Sequence, residues 1–169
     1  MPADMGDHDS CSGCGLTGGR QVCHDTFNDV SLRVRALAWT DSLKTWRLMH
    51  DVYALQHPDE QCVSFKQLIT HLGGVAWALE HDGSERGYRA LLQVADRDVW
   101  QHQAYPPAPG LPVDRGTVLV NSLSRLAEPP LLVSGIDKWA RATWVAYAPL
   151  QSAARDWIQQ AMQLFPDRK

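Results

Sequence analysis

From Phe27 to Met162, apolar residues return every three or four positions, and that spacing commits most of the chain to amphipathic helices. Phe27, Val30, Val34, Leu37 and Ala38 form a first stripe, with Asp25 placed to cap it. Leu43, Trp46, Met49, Val52 and Tyr53 mark a second helix from Ser42 to about Gln56, closed by His57-Pro58 because the residue before a proline avoids helical angles. Ser64 caps a third, which carries Phe65, Leu68, Ile69, Leu72, Val75, Ala76 and Leu79. Gly73-Gly74 inside it costs about 1 kcal/mol per residue against alanine, so the pair predicts a close approach by another helix. A fourth helix follows Ser84 and buries Tyr88, Leu91, Leu92 and Val94. Residues 104–113 hold four prolines and read as an extended surface connection. A short helix capped by Asn121 is expected next. The last stripe runs through Trp139, Ala142 and Ala146, then Ala154, Trp157, Ile158 and Met162, and Pro149 must kink it or split it in two. The expected fold class is mainly α, a helical bundle with an irregular N-terminal zinc-knuckle segment.

The size of that bundle is bounded by length. A chain of 169 residues supports one complete core, so residues 1–169 are expected to form a single helical domain. Hydrophobic residues at 44% and charged residues at 21% fall in the globular range, and seven tryptophans add large apolar area. The net charge of -3, without a dense Lys/Arg run, lacks the electrostatic footprint of a nucleic-acid binder. "MPADMGDHDS" has aspartates where a secretory signal has basic and then apolar residues. No run approaches the roughly 20 apolar residues that cross a bilayer. These features predict a cytoplasmic protein without membrane contact, in which thiols stay reduced and four cysteines serve as metal ligands, redox groups or core residues.

Residues 1–22 are rich in Gly, Asp and Ser and have no periodicity, so this segment has no core of its own. Within it, Cys11-Ser-Gly-Cys14-Gly has the form of a zinc knuckle, in which glycines let a tight turn aim two thiolates at one metal. Cys23 lies nine positions later. A fourth ligand is offered by His24, His57 or His71, and the set favoured by the sequence is Cys11, Cys14, Cys23 and His57 holding zinc. Such a site would attach residues 1–24 to the helices, since metal binding energy is also folding energy. A redox pair would need a strand before Cys11, and a dinucleotide loop through Gly13, Gly15 and Gly18 would need a βαβ unit; neither pattern is visible. Cys62 reads as a small buried residue.

His50, Tyr53 and His57 share one face of the second helix, and Asp51 or Tyr53 is placed to fix an imidazole tautomer. His71 sits beside the apolar stripe of the third helix, where a core histidine is as common as a ligand. Trp144 and Tyr147, three apart, read as core. Common hydrolase and nucleotide motifs such as G-x-S-x-G, a Walker loop or H-E-x-x-H are absent.

Three segments together carry a resemblance: the C-x-G-C-G start at Cys11–Gly15, Cys23 followed by Phe27, and "HDVYALQHP", residues 50–58. Through them the chain resembles a family of uncharacterised bacterial proteins, a domain of unknown function, and the similarity extends through His71-Leu72 to "WARATWVAY". The chain departs from that pattern at Trp46, Leu150 and Gln151, where the family carries histidines. The resemblance implies no activity.

Two functions are expected from these residues. The first is a structural-zinc protein that acts as a binding or regulatory module for a protein or small-molecule partner. The second is a metal-dependent hydrolase or transferase, with His57, His71 and His50 around an open metal position that activates water. Ligand count separates them. Nucleic-acid binding would need a free basic face around Arg20, Arg33 and Arg35.

Overall fold

The computed structural model describes residues 10–37, 39–62, 64–96, 111–112 and 114–165. Among them the chain forms eight α-helices and no strand: α1 (Gly19–Arg35), α2 (Trp39–Gln56), α3 (Pro58–Gln61), α4 (Phe65–Glu80), α5 (Glu85–Asp96), α6 (Asn121–Ser124), α7 (Pro129–Ala146) and α8 (Gln151–Leu164). Most of the expected proline-rich connection lies outside the described residues.

Helix α1 starts six residues before Asp25. Gly18 precedes it at φ 97°, a left-handed angle that glycine adopts without a Cβ clash, and this turn starts the helix with no side-chain cap. Asp25 instead accepts from Gln21 Nε2 at 2.9 Å on the exposed face. The early start places Cys23 on the same buried stripe as Phe27, Val30 and Val34. The irregular segment therefore ends at Gly18. Ser64 caps α4 as expected, its hydroxyl accepting from the Gln67 N–H at 3.2 Å. Asn121 is the first residue of α6 and Val120 takes the cap position. Pro149 splits the C-terminal stripe into α7 and α8, joined by a 3-10 turn over Ala148–Leu150.

Helices α2 and α4 lie at the centre, α4 packing on α2, α5, α7 and α8, and α2 also meeting α1 and α7. The Gly73-Gly74 pair serves two neighbours at once: Gly73 faces the Trp157 indole of α8, and a Cβ at Gly74 would run into the Asp51 carboxylate of α2. Trp139, Trp157, Tyr147, Met49, Leu55 and Leu72 are the bulk of the sealed interior. Leu92, expected inside, is 41% exposed, because α5 turns Tyr88, Ala90, Leu91 and Val94 inward and Leu92 off that stripe. No described helix is long and apolar enough to cross a membrane.

Candidate metal centre

The C-terminal end of α2 is the platform of the site. A helix leaves its last four carbonyls without intrahelical partners, and here each receives a side-chain donor. His57 Nδ1–H donates to Tyr53 O at 2.8 Å, the Cys62 thiol lies 3.9 Å from Ala54 O, the Tyr147 hydroxyl donates to Leu55 O at 2.6 Å, and Arg115 Nη1 donates to Gln56 O at 3.3 Å. Pro58 then opens α3 and holds His57 outside the helix, at φ -126°. The imidazole is thereby pinned from behind. Because a carbonyl only accepts, Nδ1 must carry the proton, and the lone pair of Nε2 points the other way.

What Nε2 meets is sulfur. It lies 3.4 Å from Cys11 Sγ and 3.3 Å from Cys23 Sγ, while Cys14 Sγ is 3.6 Å from Cys23 Sγ. All four ligand atoms fall within 4.8 Å of one another. A tetrahedral zinc with bonds of about 2.3 Å to sulfur and about 2.0 Å to nitrogen has edges of roughly 3.5–3.8 Å. The three distances above come within a few tenths of an ångström of such edges, and the remaining pairs fall within 4.8 Å. Cys11, Cys14, Cys23 and His57 thus lie close enough to hold one metal ion. Cys11, Cys23 and His57 are buried, and only Cys14 is partly open.

The knuckle turns as its glycines allow. Gly15 N–H donates to Cys11 O at 2.7 Å, and Cys11 N–H donates to Leu16 O at 2.8 Å, with Gly15 at φ 77°. Leu16 is buried and anchors the turn in the core. Gly13 has a steric reason as well. A Cβ there would overlap the His57 ring and stand 3.1 Å from Gln56 O. We therefore expect Gly13→Ala to push the imidazole off its position and lower metal affinity at least tenfold, the usual scale for disturbing a ligand's support; competition against a colorimetric chelator measures it, and an unchanged affinity would contradict the close contact.

Electrostatics favour one thiolate in the cluster and oppose a second. The hydrogen bond from the Cys23 thiol, helped by His57, lowers Cys14 to about 4, whereas Cys23 is raised because Cys14, burial and the charge of Cys11 all oppose a further thiolate. One anion forms easily and the next does not. A divalent ion at the centre removes that conflict by compensating all three sulfurs.

Arg115 was not foreseen from the sequence. It reaches in from the loop before α6, its Nη1 donating to Gly13 O at 3.1 Å and to Gln56 O, and its Nη2 pairing with Asp59 at 2.9 Å. Gln56 Nε2 replies by donating to Val118 O at 2.9 Å. One guanidinium thus ties the knuckle, the end of α2 and the 114–118 loop together. A lone arginine in a loop carries no periodicity, so only its proximity in space reveals it.

The remaining candidates go elsewhere. His24 is exposed beside Asn28 and Asp25. His71 donates from Nδ1 to Asp51 Oδ1 at 2.8 Å, and His50 packs against Phe27 and Trp46, so neither joins His57 around one metal. Tyr53 fixes the His57 tautomer through its carbonyl, while its ring stacks on Phe27 at 3.9 Å. No curated protein and no solved structure matches the chain. Residues 9–148 do match the model of a family of unknown function, DUF5946, and since that stretch is most of the chain and contains all four clustered side chains, the protein belongs to this family.

Proposed function

We propose that this protein is a helical module built around a structural zinc ion held by Cys11, Cys14, Cys23 and His57, and that its folded surface binds or regulates a partner. The observation that carries the reading is the cluster itself: four ligand atoms within 4.8 Å of one another, three of them on buried residues, supply a complete four-ligand shell with no position for a reacting water. Catalytic zinc keeps such a position open. Zinc is favoured over harder cations because three thiolates and an imidazole are soft or borderline donors. The catalytic alternative through His57, His71 and His50 loses its footing, since the last two line a different cavity.

A protein or small-molecule partner remains favoured over nucleic acid. Arg20 is paired with Glu60 at 2.9 Å, and Arg33 donates to the carbonyls of Leu123, Ser124 and Leu126 at the end of α6, so two of the three arginines that would make a basic face are already engaged. A cytoplasmic setting, where thiols stay reduced and available to zinc, suits this chemistry.

The test is elemental analysis of protein purified without a histidine tag or added metal. About one zinc per chain, unchanged after dialysis against a weak chelator, is expected of a closed site. No bound metal together with freely titrating thiols would overturn the proposal.

A further inference from the structure

A cavity of about 190 Å³ lies between α2, α4 and α5. Trp46, Leu91 and Leu92 give it apolar walls; Arg47, His50, Asp51, His71 and Tyr88 give it polar ones. Its only carboxylate among the described lining residues is Asp51, already bonded to His71 Nδ1 at 2.8 Å. The guanidinium of the lining is Arg47, which sits 5.6 Å over the Tyr88 ring and makes no ion pair with a described carboxylate, although the charge of Asp51 acts on it across the cavity. Arg35, outside the lining, sits 5.5 Å over the Trp46 ring. Aromatic faces hold the two cations in place.

Four buried polar atoms of the lining residues have no described partner: Trp46 Nε1, Arg47 Nε, His50 Nε2 and the Tyr88 hydroxyl. Tyr88 is only 4% exposed, so its hydroxyl is withdrawn from solvent as well as unbonded. Leaving such groups unsatisfied is costly, so bound water or a ligand is needed to complete them. Arg47 Nε–H and the tyrosine hydroxyl are donors, and a neutral imidazole can donate from Nε2. The local field agrees in sign: burial, with the charges of Arg35 and His71 added, pushes His50 down to about 4 and keeps its imidazole neutral.

We propose that this cavity is a binding site for a small organic anion, a carboxylate with a short apolar tail, whose oxygens bond to Arg47, Tyr88 and His50 while its tail lies against Leu91, Leu92 and Trp46. The volume equals that of about six water molecules at ~30 Å³ each, which suits a ligand of four to six heavy atoms rather than a nucleotide or a peptide. The site shares no residue with the metal centre.

Butyrate is the probe. The full-length, metal-loaded protein is titrated with sodium butyrate while the imidazole nitrogens are followed by long-range proton–nitrogen NMR. Saturable movement of the His50 and His71 signals is expected, with half-saturation in the low-millimolar range for a ligand of about six heavy atoms. Arg47→Gln is expected to weaken binding at least tenfold, the usual cost of a lost charged hydrogen bond, and Tyr88→Phe about three- to tenfold. If Arg47→Gln fails to fold, Tyr88→Phe, which keeps the ring, carries the comparison. No saturable shift below about 50 mM, well above the expected half-saturation, would overturn the proposal. So would an equal response to sodium chloride, or wild-type affinity in Tyr88→Phe.

Discussion

Replacing Cys14 with serine is expected to empty the metal centre and to lower the melting temperature by on the order of 10 °C. Of the four proposed ligands Cys14 is the best to remove, because it is the partly open one and its loss leaves the buried stripe of Cys23, Phe27 and Val30 intact. Serine keeps the size and loses the thiolate, so a change in packing contributes little. Structural zinc contributes roughly 10–16 kcal/mol of apparent binding energy in small peptides. Were about 4 kcal/mol of this expressed as stability, a chain of this length would lose roughly 8–16 °C, at about 2–4 °C per kcal/mol. Chelator treatment supplies the control: it should lower the wild-type melting temperature toward that of Cys14→Ser and leave the variant unmoved. Full zinc retention in Cys14→Ser would remove the site from consideration.

The second large effect is expected at the opposite end of the chain. Trp139 on α7 is fully buried and, with Trp157, is one of the two largest sealed side chains among the described residues. Truncation to alanine should cost about 3–5 kcal/mol through lost burial and the cavity left behind. The indole Nε1–H has no described hydrogen-bond partner, which places the expected loss toward the lower end of that range. Trp139→Phe keeps most of the ring and should lose less than half as much. Denaturant midpoints at constant slope would measure both. Zinc content should stay at the wild-type value in either variant, since Trp139 contributes no ligand. A loss below about 1 kcal/mol in Trp139→Ala would show that the site repacks freely, contrary to a sealed core.

These two outcomes also separate what a linear reading sees from what it misses. Helical stripes, the Ser64 cap and the break at Pro149 are local signals, and the folded chain follows them. The start of α1 was displaced because Gly18 begins it through a backbone angle, while Asp25 looks like a cap and is not one. The two cysteines of the knuckle and Cys23 could be grouped by spacing. Choosing His57 over His24 and His71 required knowing that Pro58 ends α2 at that position and that the imidazole turns back onto the Tyr53 carbonyl. The Asp51–His71 pair and the Arg115 strap were illegible because their partners lie 20 or more positions apart, beyond any helical register.

The distance in sequence between the ligands has its own consequence. Cys11 and His57 are 46 positions apart, so a bound ion closes a long loop in the chain just as a covalent link would. In the polymer picture, closing such a loop removes about 4 kcal/mol of conformational freedom from the unfolded ensemble. That part of the stabilisation acts on the disordered chain and resides in no contact of the folded one. An ion that stays bound through partial unfolding would keep both ends of that loop within reach, so that refolding starts from a tethered coil.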